Sequence, residues 1–264
     1  MARMMVSVNA LFDELGSVPQ VEAIALGGSR ATGRNDEHSD YDVYVYLTDP
    51  VEEAVRRGIL QKYCRYMEIG NTFWEPEDDV TLKNGIDMDI VYRNLDDFAK
   101  GISLVVDDHL TYNGYTTCMW HNLITSQIVF DRHGKLHALQ KRYSISYPQG
   151  LKKNIISKNM KLLHGMLPSF DAQIRKAEER GDLVSVNHRV AEFLASYFDV
   201  LFALNEMTHP GEKRMQSICA RSCRILPAHF EENLQRLFSE MFREPVSSVI
   251  GNMVAEIAEI TSEM

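Results

Sequence analysis

The chain has 264 residues, 45% of them apolar and 25% charged, so it is long enough for one large or two modest globular domains. Its net charge of −9 argues against a protein that grips a long nucleic acid, because neutralising phosphates needs a basic surface. No apolar run reaches the length of a membrane span and the four cysteines form no disulfide-framework spacing, so we expect a cytoplasmic protein that binds no membrane.

The first part of the chain mixes strand and helix patterns. Apolar spacing predicts a helix over residues 6–15, and apolar runs predict strands over 21–26 and 41–48. A helix then opens at Pro50, and residues 78–82 and 86–92 form a predicted hairpin around Asn84-Gly85. The last predicted elements of this part are a helix over 95–105 and a strand over 128–131.

Strand patterns nearly vanish after Pro148. Helices are predicted over residues 151–167, 171–179, 183–207, 213–223 and from 227 to the end. The predicted fold class is therefore α+β, with a mixed-sheet domain over residues 1–147 and an all-helical domain over residues 148–264.

The most informative motif links the first predicted strand to the second. Gly27-Gly28-Ser29 ends the first strand, and Asp40 and Asp42 open the next one. A glycine-rich turn presents backbone N–H groups to phosphate oxygens. Alternate residues of a strand share a face, so the two carboxylates point the same way and repel each other unless a cation lies between them. The motif predicts a site for a metal-bound polyphosphate.

This combination resembles the nucleotidyltransferase superfamily, which includes DNA polymerase beta and the kanamycin nucleotidyltransferases. Bacterial members that read Gly-Gly-Ser-Arg-Ala and Ser-Asp-x-Asp, with a helical C-terminal half, are the more similar ones. The resemblance implies a nucleotidyltransferase domain over residues 1–147 in which Asp40 and Asp42 hold Mg²⁺. It also implies that Gly28, Ser29 and Arg30 contact the phosphates of a nucleoside triphosphate, with ATP as the expected substrate.

The family pattern requires a third carboxylate on a later strand. We favour Asp89 as both a catalytic and a metal-binding residue, because the apolar residues 90–92 follow it directly, as in the family. Asp87 stays open as the alternative, since it shares a face with Asp89. In the helical domain, the resemblance points to Lys213 as a phosphate contact, and a solvated surface lysine is the competing interpretation.

The expected reaction moves a nucleoside monophosphate to a hydroxyl of a small-molecule acceptor and releases pyrophosphate. A protein or RNA acceptor, and a catalytically decayed nucleotide-binding module, are the alternatives. Cys219 and Cys223 lie one helical turn apart, but a zinc site would need two more ligands at a standard spacing. Buried free thiols are therefore the favoured interpretation of these two cysteines.

Overall fold

The computed structural model describes residues 8–31 and 39–262. The chain forms two compact units. One contains the residues up to Ser103 together with Asn122–Ile145, and the other contains Leu104–His121 and the residues from Ser146 onward. The second unit therefore includes a segment that precedes the domain boundary predicted at residue 147.

The first unit is built on a six-stranded mixed sheet in the order β3-β4-β5-β2-β1-β6. Its strands are β1 (Val21–Leu26), β2 (Tyr41–Leu47), β3 (Cys64–Asn71), β4 (Glu77–Leu82), β5 (Asp87–Asn94) and β6 (Gln127–Asp131). Strands β2 and β5 are parallel, and every other neighbouring pair is antiparallel. All the strands predicted from the sequence are confirmed, and β3 is an addition.

Six helices accompany these strands in chain order. They are α1 (Val8–Ser17), α2 (Gly28–Ala31), α3 (Glu53–Leu60), α4 (Leu95–Val106), α5 (Cys118–Thr125) and α6 (Lys135–Tyr143). The helices predicted over 6–15, from Pro50 and over 95–105 correspond to α1, α3 and α4. Helices α2, α5 and α6 were not predicted.

One face of the sheet carries the apolar core of this unit. Side chains of α1 and α3, such as Leu11 and Leu60, pack in one cluster with Val43 of β2 and Ile90 of β5. Burial alternates along β4 and β5, with every second residue buried. Because alternate side chains of a strand point to opposite faces, Asp42 and Asp89 lie on the face away from this core.

A buried carboxylate ties α3 to the far end of the sheet. Asp78 is fully buried and forms an ion pair with Arg56 of α3. It also accepts hydrogen bonds from the Tyr92 hydroxyl (2.9 Å) and from the Gly70 backbone N–H (2.9 Å). Three donors thus converge on one carboxylate, which compensates for the loss of its hydration.

The second unit is helical. Its helices after residue 146 are α7 (Gln149–Leu163), α8 (Phe170–Glu179), α9 (Leu183–Leu204), α10 (Met215–Ser222), α11 (Phe230–Glu240) and α12 (Ser247–Ser262). No strand occurs beyond residue 150 in the part of the chain that is described, so the predicted α+β class is confirmed. The single helix predicted from residue 227 is two helices, because Pro245 lacks a backbone N–H and falls in the break.

None of the helices within residues 8–31 and 39–262 combines the length and the apolar character that a membrane span requires.

The core of the second unit contains two buried ionisable side chains whose hydrogen bonds are made with neutral groups. Asp199 of α9 accepts hydrogen bonds from the backbone and hydroxyl of Thr116 and from the Asn159 amide. Burial raises the pKa of Asp199 to about 6. His209 is fully buried, and burial, together with the nearby His121, lowers the pKa of His209 to about 3.

The hydrogen bonds of His209 explain why its neutral form fits the fold. Its Nδ1 accepts from the backbone N–H of Gly211 (3.1 Å), and its own backbone N–H donates to the Thr117 hydroxyl (2.8 Å). Protonating Nδ1 would turn two donors toward each other and would leave the Gly211 N–H without its acceptor.

Removing the Asp78 carboxylate should destabilise the first unit strongly. In Asp78→Ala, the Arg56 guanidinium and the Tyr92 hydroxyl lose their common acceptor, so we expect a loss of about 3–5 kcal/mol in the free energy of unfolding. The control Glu68→Ala removes an exposed carboxylate of the same sheet and should change the free energy by only about 0.5 kcal/mol. Urea unfolding followed by circular dichroism measures both, and equal losses would contradict this account.

The lowered pKa of His209 predicts a pH-dependent difference between two variants. The neutral ring stabilises the fold fully above about pH 6.5, and this contribution is lost as the pH falls toward the folded pKa of about 3. In His209→Asn no ring titrates, so the variant should gain stability relative to the wild type by up to about 1.4 kcal/mol per pH unit below about pH 6.

Urea unfolding at several pH values between about 6.5 and 4.5 measures this difference. His188→Asn, which replaces an exposed histidine of α9, should follow the wild type at every pH. Parallel stability curves for the wild type and His209→Asn would show that burial of this ring does not control its protonation.

Candidate active site

The turn after β1 is packed so closely that only glycine fits at two positions. A Cβ atom added to Gly27 would lie 2.4 Å from Cε2 of Tyr44, and one added to Gly28 would lie 1.8 Å from Oδ2 of Asp42. Gly28 also has a φ of +59°, a conformation that favours glycine. The carboxylate of Asp42 is therefore seated directly against the backbone of the Gly-Gly turn.

Strand pairing brings Asp89 beside Asp42. The backbone N–H of Gly27 donates to the Asp42 carbonyl (2.8 Å), which anchors the start of β2 to the turn. On the other side of β2, Asp42 is the register partner of Asp89 in the parallel pair β2–β5. Register partners project from the same face on strands about 4.8 Å apart, so the two carboxylates are neighbours.

A third acidic residue continues this row. Asp79 of β4 is the register partner of Asp89 in the antiparallel pair β4–β5, and the Asn71 amide donates to its carboxylate (2.8 Å). Like charges that face each other across strands destabilise a sheet. The row Asp42–Asp89–Asp79 therefore makes this face of the sheet suited to positively charged groups.

The electrostatic effect of this row is visible at Glu77. Burial and then the carboxylates of Asp79 and Asp89 raise the pKa of Glu77. Asp87, two residues before Asp89, is exposed and accepts a hydrogen bond from the Thr81 hydroxyl (2.7 Å). The structure thus places Asp89, and not Asp87, in register with Asp42.

Arg30 of α2 holds the chain that leads into β2. Its guanidinium donates to the backbone carbonyls of Ser39 (2.9 Å) and Asp40 (3.0 Å) and lies over the Tyr41 ring, 3.7 Å from the centroid. The side chain of Asp40 itself is exposed, just before the strand begins. The predicted phosphate contact Arg30 is thus engaged in positioning the start of the Asp-x-Asp motif.

Tyr44 is the residue of this site that the sequence did not indicate. Its ring fills the space over Gly27, and burial raises the pKa of its phenol. The Arg93 guanidinium lies over this ring, 4.4 Å from the centroid. It also donates hydrogen bonds to both carboxylate oxygens of Glu75 (2.7 and 2.8 Å) and to the side-chain oxygen of Asn122 (2.9 Å). An aromatic residue two positions after Asp42, on the same face, is the signal that was available.

The structure shows less about the two other predicted phosphate-binding residues, Ser29 and Lys213. Ser29 belongs to α2, but its side chain lies outside the described residues. Lys213 is exposed in a turn before α10 of the second unit. Their predicted phosphate contacts stay predictions.

Asp42 and Asp89 are the residues whose position suits a metal ion best. Within residues 8–31 and 39–262, no group of three or more His, Cys, Asp or Glu side chains is arranged to hold a metal alone. Mg²⁺ is commonly bound by one or two carboxylates, with substrate phosphates and water completing its shell. Two adjacent carboxylates beside a turn that can bind phosphate fit that pattern of ligands.

A cavity of about 300 Å³ lies at the other end of the same strands. Its walls include Leu47 at the end of β2 and Tyr92 and Asn94 at the end of β5. Leu47 is five residues beyond Asp42, or about 16 Å along the strand, so this wall of the cavity is remote from the carboxylates, whereas Glu77 and Arg93 line it on the side nearer to them.

Comparison with known proteins matches the two parts of the chain separately. Residues 8–110 match the family described as "Nucleotidyltransferase domain", and residues 116–215 match the family described as "Domain of unknown function (DUF4037)". No curated protein matches the sequence.

Two solved structures of bacterial proteins are similar at low identity. A nucleotidyltransferase-like protein from Exiguobacterium sibiricum 255-15 has 12% sequence identity and a TM-score of 0.47. The match covers 97% of this chain and 73% of that protein's chain. An aminoglycoside 6-adenyltransferase from Bacillus subtilis has 11% sequence identity and a TM-score of 0.33. The match covers 96% of this chain and 88% of that protein's chain.

The family matches agree with the geometry. The Gly-Gly turn, Asp42 and Asp89 all fall within residues 8–110, the range that the family model matches. The N-terminal part of this chain therefore matches the nucleotidyltransferase domain family, and a region that matches DUF4037 follows it.

Proposed function

We propose that this protein is an Mg²⁺-dependent enzyme that transfers a nucleoside monophosphate from ATP to a hydroxyl of a small molecule and releases pyrophosphate. The observation that carries the proposal is the pairing of Asp42 with Asp89 beside the Gly27–Gly28 turn. Nucleotidyl transfer depends on positioning and charge stabilisation, and these residues can supply both.

Asp40 and Asp42 would hold the metal of the triphosphate, and Asp89 would complete the metal site on the acceptor side. When bound, Mg²⁺ would neutralise charge on the triphosphate and on the departing pyrophosphate. These aspartates are hard oxygen donors, and like-charge repulsion between the register partners Asp42 and Asp89 favours a cation between them.

Gly28, Ser29 and Arg30 would contact the phosphates through the turn that opens α2. Because the Arg30 guanidinium is bonded to the carbonyls before β2, we propose that it acts mainly by fixing that segment. Lys213 is proposed as a phosphate contact supplied by the second unit.

Asp89 would also act on the acceptor. A carboxylate beside the metal-holding Asp42 can accept the proton of the attacking hydroxyl. The acidic row that continues through Asp79 would repel a long polyanion, which supports a small neutral or cationic acceptor over an RNA end.

The acceptor class can be tested with ATP labelled in the α-phosphate. The full chain is incubated with Mg²⁺ and with separated small-molecule, protein and RNA fractions of a bacterial extract, and the label is followed by mass spectrometry. Labelling of a small molecule is expected. Label on protein or RNA would change the acceptor class, and no transfer in any fraction would contradict the proposal.

Gly28→Ala should abolish triphosphate binding without removing any ligand. The new Cβ would overlap the Asp42 carboxylate, 1.8 Å away, and the backbone φ of +59° would be strained as well. Gly101→Ala is the matched control, because its Cβ meets nothing within 4 Å and alanine favours the α4 helix. Calorimetry with Mg²⁺ and ATP should show a loss of binding for the first variant alone.

Three Asp→Asn variants assign the carboxylates. Asp42→Asn should abolish Mg²⁺-dependent ATP binding while the melting temperature holds or rises slightly, since repulsion with Asp89 is relieved. Asp89→Asn should keep most of the binding and lose transfer by orders of magnitude. Asp87→Asn, whose Oδ1 can still accept from Thr81, should be mild in both assays. A stronger effect of Asp87→Asn than of Asp89→Asn would overturn the assignment.

A further inference from the structure

Three sulfur atoms meet at one end of α10 in the second unit. Cys219 lies within this helix and is fully buried, and Cys223 caps its C-terminus and is half-buried. Cys219 belongs to the buried apolar cluster against which Met207 and Cys223 pack. Sγ of Cys223 lies 3.9 Å from Sδ of Met207, which follows α9 and is 16 residues away in the sequence.

The backbone around these sulfurs is fixed by a single amide. Oδ1 of Asn205 accepts from the backbone N–H groups of Arg224 and Ile225 (both 2.8 Å), and its Nδ2 donates to the carbonyls of Leu201 (2.9 Å) and Ile225 (2.8 Å). The segment directly after Cys223 is thereby bound to the C-terminus of α9. Met207 and Cys223 are held near each other by this link.

The sulfur spacing is that of a metal-binding triangle. With metal–sulfur bonds of about 2.3 Å, three sulfurs at 120° around one ion would be about 4.0 Å apart. The observed 3.9 Å between Cys223 and Met207 matches this edge. Cys219 and Cys223 are one helical turn apart, and both belong to the same packed cluster as Met207, so Cys219 is the candidate for the third corner.

The donor set selects the kind of ion. Zinc needs four ligands, usually thiolate or imidazole, and no group of three His, Cys, Asp or Glu suited to a metal occurs in the part of the chain that the structure covers. Two thiolates with one thioether are soft ligands, which select Cu(I) among the common biological ions.

We propose that Met207, Cys219 and Cys223 form a binding site for a soft monovalent ion of the Cu(I) class. Binding replaces the thiol protons of Cys219 and Cys223 with two metal–sulfur bonds, releases those protons to solvent, and adds a third bond from the Met207 thioether, without a change in oxidation state. The ion would join the end of α9 to the end of α10. The site is independent of nucleotidyl transfer in the first unit.

The test is a competition for Cu(I) under anaerobic, reducing conditions. The full chain is titrated against the Cu(I) complex of bathocuproine disulfonate, whose absorbance falls as the protein removes the ion. The wild type should remove one equivalent. Cys223→Ser should remove none, and Met207→Leu, which keeps side-chain volume, should bind at least about tenfold more weakly.

Cys118→Ser is the matched control, because it removes a half-buried thiol of α5 that is outside the triangle. It should bind Cu(I) as the wild type does. Far-UV circular dichroism checks that each variant is folded, and X-ray absorption of the loaded wild type should show three sulfurs at about 2.3 Å. Failure of the wild type to remove Cu(I), unchanged binding in Met207→Leu, or only two sulfur ligands would each overturn the proposal.

Discussion

The candidate active site depends on the close approach of two glycines to the strand beside them. Tyr44 and Asp42 project from the same face of β2 and occupy the space where side chains at positions 27 and 28 would stand. This contact anchors the turn to β2, and the parallel pairing of β2 with β5 then sets Asp89 beside Asp42. The steric contact thus places the turn and Asp42, and strand pairing adds Asp89.

A buried arginine makes that constraint rigid. Arg93 lies against the Tyr44 ring, and its charge is balanced by two hydrogen bonds to the Glu75 carboxylate. A buried charge with fixed partners resists rotation, because losing any one partner leaves an uncompensated charge. The ring over Gly27 is therefore held in place, and the turn is organised before any ligand binds. Preorganisation of this kind is what positioning in nucleotidyl transfer requires.

Local patterns in the sequence were sufficient to predict the strands that carry the site, but they did not predict the edge strand β3. Strands β1, β2 and β5 are apolar runs with distinct turns, whereas β3 is an edge strand of largely exposed, polar residues such as Arg65 and Glu68. The motifs indicated Asp42 and favoured Asp89 over Asp87, but the sequence left that choice open, because pairing across 47 positions leaves no local trace. The strand register places Asp89, and not Asp87, opposite Asp42. The contact between Met207 and Cys223 was not predicted either, because these residues are 16 positions apart and meet only in the folded chain.

The two units stabilise buried polar groups in different ways. In the first unit, Asp78 is buried against an arginine, whereas Asp199 and His209 in the second are held by neutral donors and acceptors.

Asp199 and His209 change the stability of the fold in opposite directions as the pH changes. The contribution of Asp199 is full below about pH 3.8 and is lost as the pH rises through about 6, whereas that of His209 is full above about pH 6.5 and is lost as the pH falls. Between about pH 4 and 6 the two slopes oppose each other, so the pH dependence that one group adds partly cancels that of the other.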